Sequence, residues 1–370
     1  MSIDTVVKVD PARRAQWLVP SAARYVEPRK IRYLLPIVEN DVWARGDLLL
    51  AEVEGPPGLV SSIQNTSRRS DLNYRDATLF PGSKLVVVLS PRAGSTTCVA
   101  RVPDRPVGRL HLHGVGGQAG IVDPASCHSG LYTGVPTSLL TLARLGDGKR
   151  RPLAMRNFAR SLPADPRPRS SDDPELVLVV GSDMDAGKTT TARRIIYALR
   201  AMGHRVVAGK ATGVASLYDI VSMYDAGASE VLDFAALGEP TTIGLDEGEV
   251  LAIFHRIFSH LRAAAGPGGF VVIELADGIW YRETRMLIED AAVRDAVTHV
   301  ALACHSILDA ENGVAFLRRL GYGDKLRALS GKLGSSGLLR DLAPGLLGPL
   351  VVFDAMDYAA SPEGVAALFA

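Results

Sequence analysis

Leu176–Met202 reads LVLVVGSDMDAGKTTTARRIIYALRAM, and this stretch decides the fold. Leu176–Val180 is an uninterrupted apolar run, the pattern of a strand buried on both faces. From Lys188 onward Ala192, Ile195, Ile196, Leu199 and Met202 recur at helical spacing, and Gly203 suits the position just past a helix end. Between the two lies Gly181-Ser182-Asp183-Met184-Asp185-Ala186-Gly187-Lys188-Thr189-Thr190. A glycine-containing bend that leaves a strand and opens a helix can wrap a polyphosphate in backbone N–H groups, with the positive end of the helix dipole added. Gly181, Asp183, Asp185, Ala186, Gly187, Lys188, Thr189 and Thr190 are therefore the candidate cofactor-binding residues. Lys188 can reach the β- and γ-phosphates of a nucleotide, and the Thr189 hydroxyl can ligate Mg²⁺. Five residues separate Gly181 from Gly187, one more than the common phosphate-loop spacing.

Working outward, the chain after this bend alternates strand and helix. Strands are predicted at Arg205–Ala208, Phe270–Leu275, His299–Cys304, Arg327–Ser330 and Leu350–Phe353, with a helix around Gly248–Ala264. This alternation predicts an α/β domain with a mostly parallel sheet covered on both faces and its ligand at the carboxyl ends of the strands. Two of those ends carry chemistry. Phe270–Glu274 is an apolar strand closing on a carboxylate, where a Mg²⁺ ligand belongs, and Asp277 follows three residues later as a competitor. The second strand of the domain leads into Gly209-Lys210-Ala211-Thr212-Gly213, and Lys210 there could stabilise charge developing on a transferred group. Lys188, Lys210 and Glu274 are the candidate catalytic residues. Thr212, Asp277 and Arg282 are candidates for contacting a small-molecule acceptor, Arg282 because a guanidinium can pair a carboxylate in bidentate fashion.

Toward the N-terminus, Ser161–Pro174 (SLPADPRPRSSDDP) holds four prolines and no apolar periodicity, and reads as a linker. The 370 residues thus divide into a β-rich domain over 1–160, a linker over 161–174 and a phosphate-loop domain over 175–370. In the first, Asp47–Val53, Lys84–Leu89, Thr97–Val102 and Arg109–His113 are short strand candidates between Gly/Pro turns. Their spacing fits a small barrel or sandwich, closed by a short helix around Thr137–Leu145. His111-Leu112-His113 and Cys127-His128 lack a carboxylate partner, so a metal site there is disfavoured; the Gly114–Gly120 stretch could offer backbone amides to an anion but lacks strand–turn–helix context and reads as a flexible loop. Three cysteines exclude a disulfide framework. Forty-one Lys plus Arg against 40 Asp plus Glu give a net charge of +1, which argues against nucleic acid as a partner. No apolar run reaches the ~18–20 residues of a membrane span, and no apolar signal core follows the N-terminal charges; a cytoplasmic protein is expected.

The extended loop GSDMDAGKT resembles the G-T-D-T-x-V-G-K-T loop of dethiobiotin synthetases, which has the same extra residue. The resemblance implies ATP in the loop, a substrate- and γ-phosphate-binding lysine at Lys210, and Mg²⁺ on Thr189, Glu274 and a further acid. Asp219 and Asp225 both stand open for that role, with Asp219 taken as the metal ligand. Over roughly residues 176–335 the stretches GSDMDAGKTTTA, KATGVASLYDIVSMYDAGASEVLDF and VIELADGIWYRET are similar to a P-loop family whose best-known branch is D-glutamate N-acetyltransferase. That family pairs this domain with a Rossmann-like N-terminal half, whereas residues 1–160 here read as β-rich. The resemblances imply an ATP- and Mg²⁺-dependent ligase or phosphotransferase that activates a carboxylate or carbamate, and by analogy a homodimer. The alternatives are an acyl-CoA-dependent N-acyltransferase and a nucleotide-dependent regulatory switch.

Overall fold

The computed structural model describes residues 3–66, 72–94, 96–128, 135–164, 167 and 169–370. The seam positions Asp165, Pro166 and Pro168 and the side chain of His128 lie outside that set. The chain divides into two compact units. The first is Met1–Ser161 together with Val214–Leu217 and Phe234–Ile243; the second is Leu162–Gly213, Tyr218–Asp233 and Gly244–Ala370. Two short segments from the C-terminal half therefore fold with the N-terminal half, which no local composition signals.

In the first unit, five strands pair in a closed ring. Leu48–Val53 pairs with Lys84–Leu89, that strand with Gln118–Val122, and that one with Arg109–Leu112. Arg109–Leu112 then joins Thr137–Gly146, which returns to Leu48–Val53. Only the pairing of Lys84–Leu89 with Gln118–Val122 is parallel. A ring of this kind is a small barrel, and ring closure removes the sheet edges that would otherwise need cover. Alternate residues fill its interior, among them Leu49, Ala51, Leu85, Val87, Leu110 and Leu139, all fully buried.

The predicted helix around Thr137–Leu145 is instead the ten-residue strand Thr137–Gly146. The reason is a bulge. The register with Leu48–Val53 slips between Thr141 and Ala143, so Leu142 is an extra residue. The insertion breaks strict alternation and leaves Leu139, Leu142 and Leu145 spaced as on a helix. The strand candidate Thr97–Val102 contracts to Ala100–Arg101.

The second unit carries the motif-bearing elements. Its strands are β1 (Glu175–Gly181), β2 (Val206–Lys210), β3 (Val231–Asp233), β4 (Phe270–Glu274), β5 (His299–Ala303), β6 (Leu326–Ser330) and β7 (Val351–Val352). They form one parallel sheet in the order β3-β2-β4-β1-β5-β6-β7. Helix α1 (Lys188–Ala201) follows β1, α2 (Leu217–Asp225) follows β2, and α3 (Glu247–Ala265) precedes β4. Leu176–Val180 are all buried, as helices on both faces require. Register aligns the chemistry: Lys210 lies beside Glu274, and Glu274 beside Val179. Register partners on parallel strands share a face, so the Lys210 and Glu274 side chains leave the same side of the sheet, at the carboxyl ends of β2 and β4. Among the described residues no helix is long and apolar enough to cross a membrane.

Candidate functional site

The loop from β1 to α1 is built around Gly181. A Cβ there would lie 2.7 Å from Cγ and Cδ of Lys188, so the missing side chain is the space the lysine stem occupies. Lys188 runs back over the strand end and its Nζ donates to the Asp183 carbonyl at 2.7 Å. It is 7% exposed, and burial lowers its pKa against the pull of the Glu274 and Asp277 carboxylates. Gly187 takes φ of +101° to turn the chain into α1, whose first-turn amides are those a helix leaves unpaired. Three supports hold the loop from outside. Tyr281 donates its hydroxyl to Asp183 Oδ1 at 2.9 Å, His305 Nε2 bonds the Met184 carbonyl at 2.7 Å, and Lys332 N–H donates to the Ala186 carbonyl at 3.1 Å.

Beside the loop three oxygen-bearing side chains converge. Thr189 Oγ1 lies 3.1 Å from Glu274 Oε1 and 3.3 Å from Asp219 Oδ1. One hydroxyl hydrogen serves only one of these carboxylates at a time. The other carboxylate oxygen of Asp219 accepts from Lys210 Nζ. Glu274 is 2% exposed, and its Oε2 is buried with no hydrogen-bond partner. Burial pushes the Glu274 carboxyl up, to about 7, and the neighbouring Asp219 charge adds to this while Lys210 and Lys188 oppose it. Burial also works against the Lys210 ammonium, but Asp219 and Glu274 outweigh it and hold its pKa above the ordinary lysine value. Two carboxylates and a hydroxyl, with one buried oxygen unpaired, match the all-oxygen donor set that Mg²⁺ takes when it keeps several waters. No cluster of three or more His, Cys, Asp and Glu suited to a metal occurs among the described residues.

These groups open on a cavity of about 340 Å³. Gly187, Lys188, Thr189, Thr190, Lys210 and Glu274 line it, as do Asp185 and Asp277, both with positive φ. The structure thus brings together most of the residues that sequence singled out. It does not bring Thr212 or Arg282 to the cavity wall. Thr212 is buried and its Oγ1 accepts from the Ala276 amide at 2.8 Å, so it shapes the turn after Glu274. Arg282 is largely exposed and lies 3.8 Å from Glu283. Of the two acids left open, Asp219 sits in the first turn of α2 at the site, while Asp225 ends that helix exposed to solvent. Residues with no signal in the motif are Tyr281, His305 and Gly331, which brace the loop; only their positions after strand ends point to them.

Two histidines of the first unit each engage one ring nitrogen: His111 Nδ1 accepts the Val122 amide at 3.1 Å, and His113 Nε2 bonds the Ser90 carbonyl at 2.9 Å.

No family model and no curated protein matches the chain. Among solved structures it is similar to the signal recognition particle receptor FtsY from Elizabethkingia anophelis in complex with GDP, at 17% identity over 56% of this chain and 68% of that one, with a TM-score of 0.35. It is similar to a ParA family ATPase from Chlorobium tepidum at 12% identity, over 54% of this chain and 93% of that one, with a TM-score of 0.34. A duf1611 family protein from Anabaena variabilis is 15% identical over 57% of this chain and 62% of that one, with a TM-score of 0.35. None of these three is described as a dethiobiotin synthetase or a D-glutamate N-acetyltransferase, and likenesses this faint fix neither ligand nor reaction.

Proposed function

We propose that the second unit binds a nucleoside triphosphate with Mg²⁺ and transfers its γ-phosphoryl group to a carboxylate or carbamate of a small amino-acid-like compound. The observation that carries this reading is the Thr189–Asp219–Glu274 oxygen cluster beside the phosphate loop, with Glu274 Oε2 buried and unpaired. A buried carboxylate oxygen without a partner is costly, and a divalent cation would remove that cost. Thr189, Asp219 and Glu274 would hold the metal, which would offset the negative charge of the phosphate oxygens. An acyl-CoA-dependent reaction gives this cluster no task, since the pyrophosphate of CoA can be gripped by the loop alone.

Two lysines support the choice of an anionic acceptor. Lys188 and Lys210 both line the cavity. A carboxylate that approaches a γ-phosphate meets a strong like-charge barrier, and a second ammonium beyond the loop lysine lowers it. Each lysine is held by the protein, Lys188 by the Asp183 carbonyl and Lys210 by Asp219. Lys188 must therefore exchange that carbonyl for phosphate oxygens on binding.

Thermal unfolding of the full chain with ATP, GTP and acetyl-CoA, each with and without Mg²⁺, tests the reading. A nucleotide at a hundred times its Kd adds about 2.7 kcal/mol of stability. Wild type is expected to gain several degrees with a Mg²⁺-nucleoside triphosphate and Lys188→Ala none. Stabilisation by acetyl-CoA without Mg²⁺ that exceeds that by either nucleotide overturns the proposal.

A further inference from the structure

Lys210 and Asp219 both belong to the second unit. Lys210 closes β2, Asp219 lies in the first turn of α2, and Lys210 Nζ donates to Asp219 Oδ2. The other oxygen of Asp219 lies 3.3 Å from Thr189 Oγ1, which in turn lies 3.1 Å from Glu274 Oε1. One carboxylate is thus shared between an ammonium and the oxygen cluster. The ion pair is nearly dry, with the Lys210 and Asp219 side chains 9% and 15% exposed. In so little water the attraction between the two charges is weakly screened, and any other cation that draws on this carboxylate works against it.

A divalent cation on Thr189, Asp219 and Glu274 would draw on it and would also repel the ammonium beside it. Lys210 and Glu274 are register partners on adjacent strands, so the lysine stands next to two of the three cation-binding groups. The ammonium has somewhere to go. Lys210 lines the cavity, and a Cβ added at Gly213 would lie 3.4 Å from its Cε and 3.8 Å from its Nζ. Glycine at this position, with φ of +107°, leaves that flank of the lysine head without a side chain. Lys188 differs: its Nζ donates to the Asp183 carbonyl, a group outside the oxygen cluster.

We infer that Lys210 competes with the divalent cation for Asp219, giving up this carboxylate as the cation binds and turning its ammonium into the cavity. The inference rests on the reading of Thr189, Asp219 and Glu274 as a metal site. It makes the second lysine available only when the site is charged with metal. It also couples metal to nucleotide in both directions: phosphate oxygens give the displaced ammonium a new anionic partner, so a nucleotide strengthens cation binding through Lys210.

The test is Mn²⁺ binding by the full chain without nucleotide, followed by electron paramagnetic resonance in wild type, Lys210→Met and Lys188→Met. Lys210→Met is expected to bind Mn²⁺ about tenfold tighter than wild type, within the range of couplings between linked sites. Lys188→Met loses the same charge away from Asp219 and is expected to gain less than about threefold, the effect of the local field alone. If Mn²⁺ binds neither wild type nor Lys210→Met, and wild type with ATP holds no more Mn²⁺ than ATP alone, the metal reading fails and this inference with it. If wild type binds Mn²⁺, alone or with ATP, and Lys210→Met gains nothing, or no more than Lys188→Met, the inference alone is overturned. Should Lys210→Met not fold, Lys210→Gln, which keeps a donor for Asp219 without the charge, is read on the same scale. Should neither fold, wild type decides. Acylation of Lys210 by an amine-reactive reagent, read by peptide mass spectrometry, is expected to run several-fold faster in saturating Mn²⁺ than in EDTA, and equal rates decide against the competition.

Discussion

At Gly331 an added Cβ would lie 2.1 Å from the Ala186 carbonyl oxygen and 2.9 Å from the Cys304 amide nitrogen, on a backbone with φ of +84°. The next residue, Lys332, donates its amide to that same Ala186 oxygen. The end of β6 therefore acts as a seat for the loop between β1 and α1, and only a glycine fits it. Gly331→Ala is expected to cost about 2–4 kcal/mol, from left-handed strain plus a backbone clash. Its ATP affinity should fall more than tenfold while the far-UV spectrum stays native; titration calorimetry with MgATP measures the loss, and wild-type affinity would refute this role. Gly331 shows where sequence goes silent. Lys210 and Glu274 are legible because they close apolar runs that end abruptly, and Lys188 and Thr189 because they open an amphipathic helix after such a run. The seat is legible only once β6 is known to lie two strands from β1. The choice of Asp219 over Asp225 is of the same kind: both lie on α2, about 9 Å apart along its axis, and only tertiary placement separates them.

Among the elements, α3 is the one whose sequence states both its start and its buried face. Asp246 Oδ1 accepts the Glu249 amide at 2.8 Å, and Glu249 Oε2 accepts the Asp246 amide at 2.9 Å. Val250, Phe254, Ile257 and Leu261 follow at helical spacing, are fully buried, and the helix packs against β2 and β4. Because α3 backs the two strands that present Lys210 and Glu274, its stability bears on the site. Asp246→Ala removes the half of the capping box made by the Asp246 carboxylate, keeps the Asp246 amide that donates to Glu249, and is expected to cost about 1 kcal/mol in urea unfolding, with MgATP affinity within twofold of wild type. A change below about 0.3 kcal/mol would show that packing alone fixes the helix start. Thr137–Gly146 is the counterexample. There one inserted residue, Leu142, imitates helical spacing in a strand, and the cross-strand register that would expose it is not local information.

For the whole molecule the acid limb of stability follows from one buried histidine in each unit. Burial, reinforced by Arg92, lowers the His113 pKa to about 3; burial, reinforced by Arg327, lowers that of His299 to about 4. Both rings fold neutral, whereas in an unfolded chain they take up protons below about pH 6.5. The unfolded state therefore binds more protons between pH 6.5 and 4, and stability falls as pH drops through that window. Each histidine contributes on the order of 3 kcal/mol to the fall. Glu274 runs the other way. Burial raises its folded pKa to about 7, so the folded state gains a proton as pH falls from 7 toward 4.5, and the second unit recovers part of what His299 loses. Asp173, held to about 2 chiefly by its hydrogen bond to Arg167, stays charged across the window and gives up its contribution only below about pH 4. In the first unit burial likewise raises the Asp47 carboxyl and lowers the His111 ring, so Asp47 recovers part of what His113 loses while His111 adds to the loss. Urea unfolding at pH 7, 6, 5 and 4, followed separately for each unit by hydrogen exchange, measures this. His113→Gln should flatten the pH slope of the first unit and leave that of the second unchanged, and His299→Gln the converse. A first-unit slope that His113→Gln leaves intact would mean that other protonations carry the acid limb.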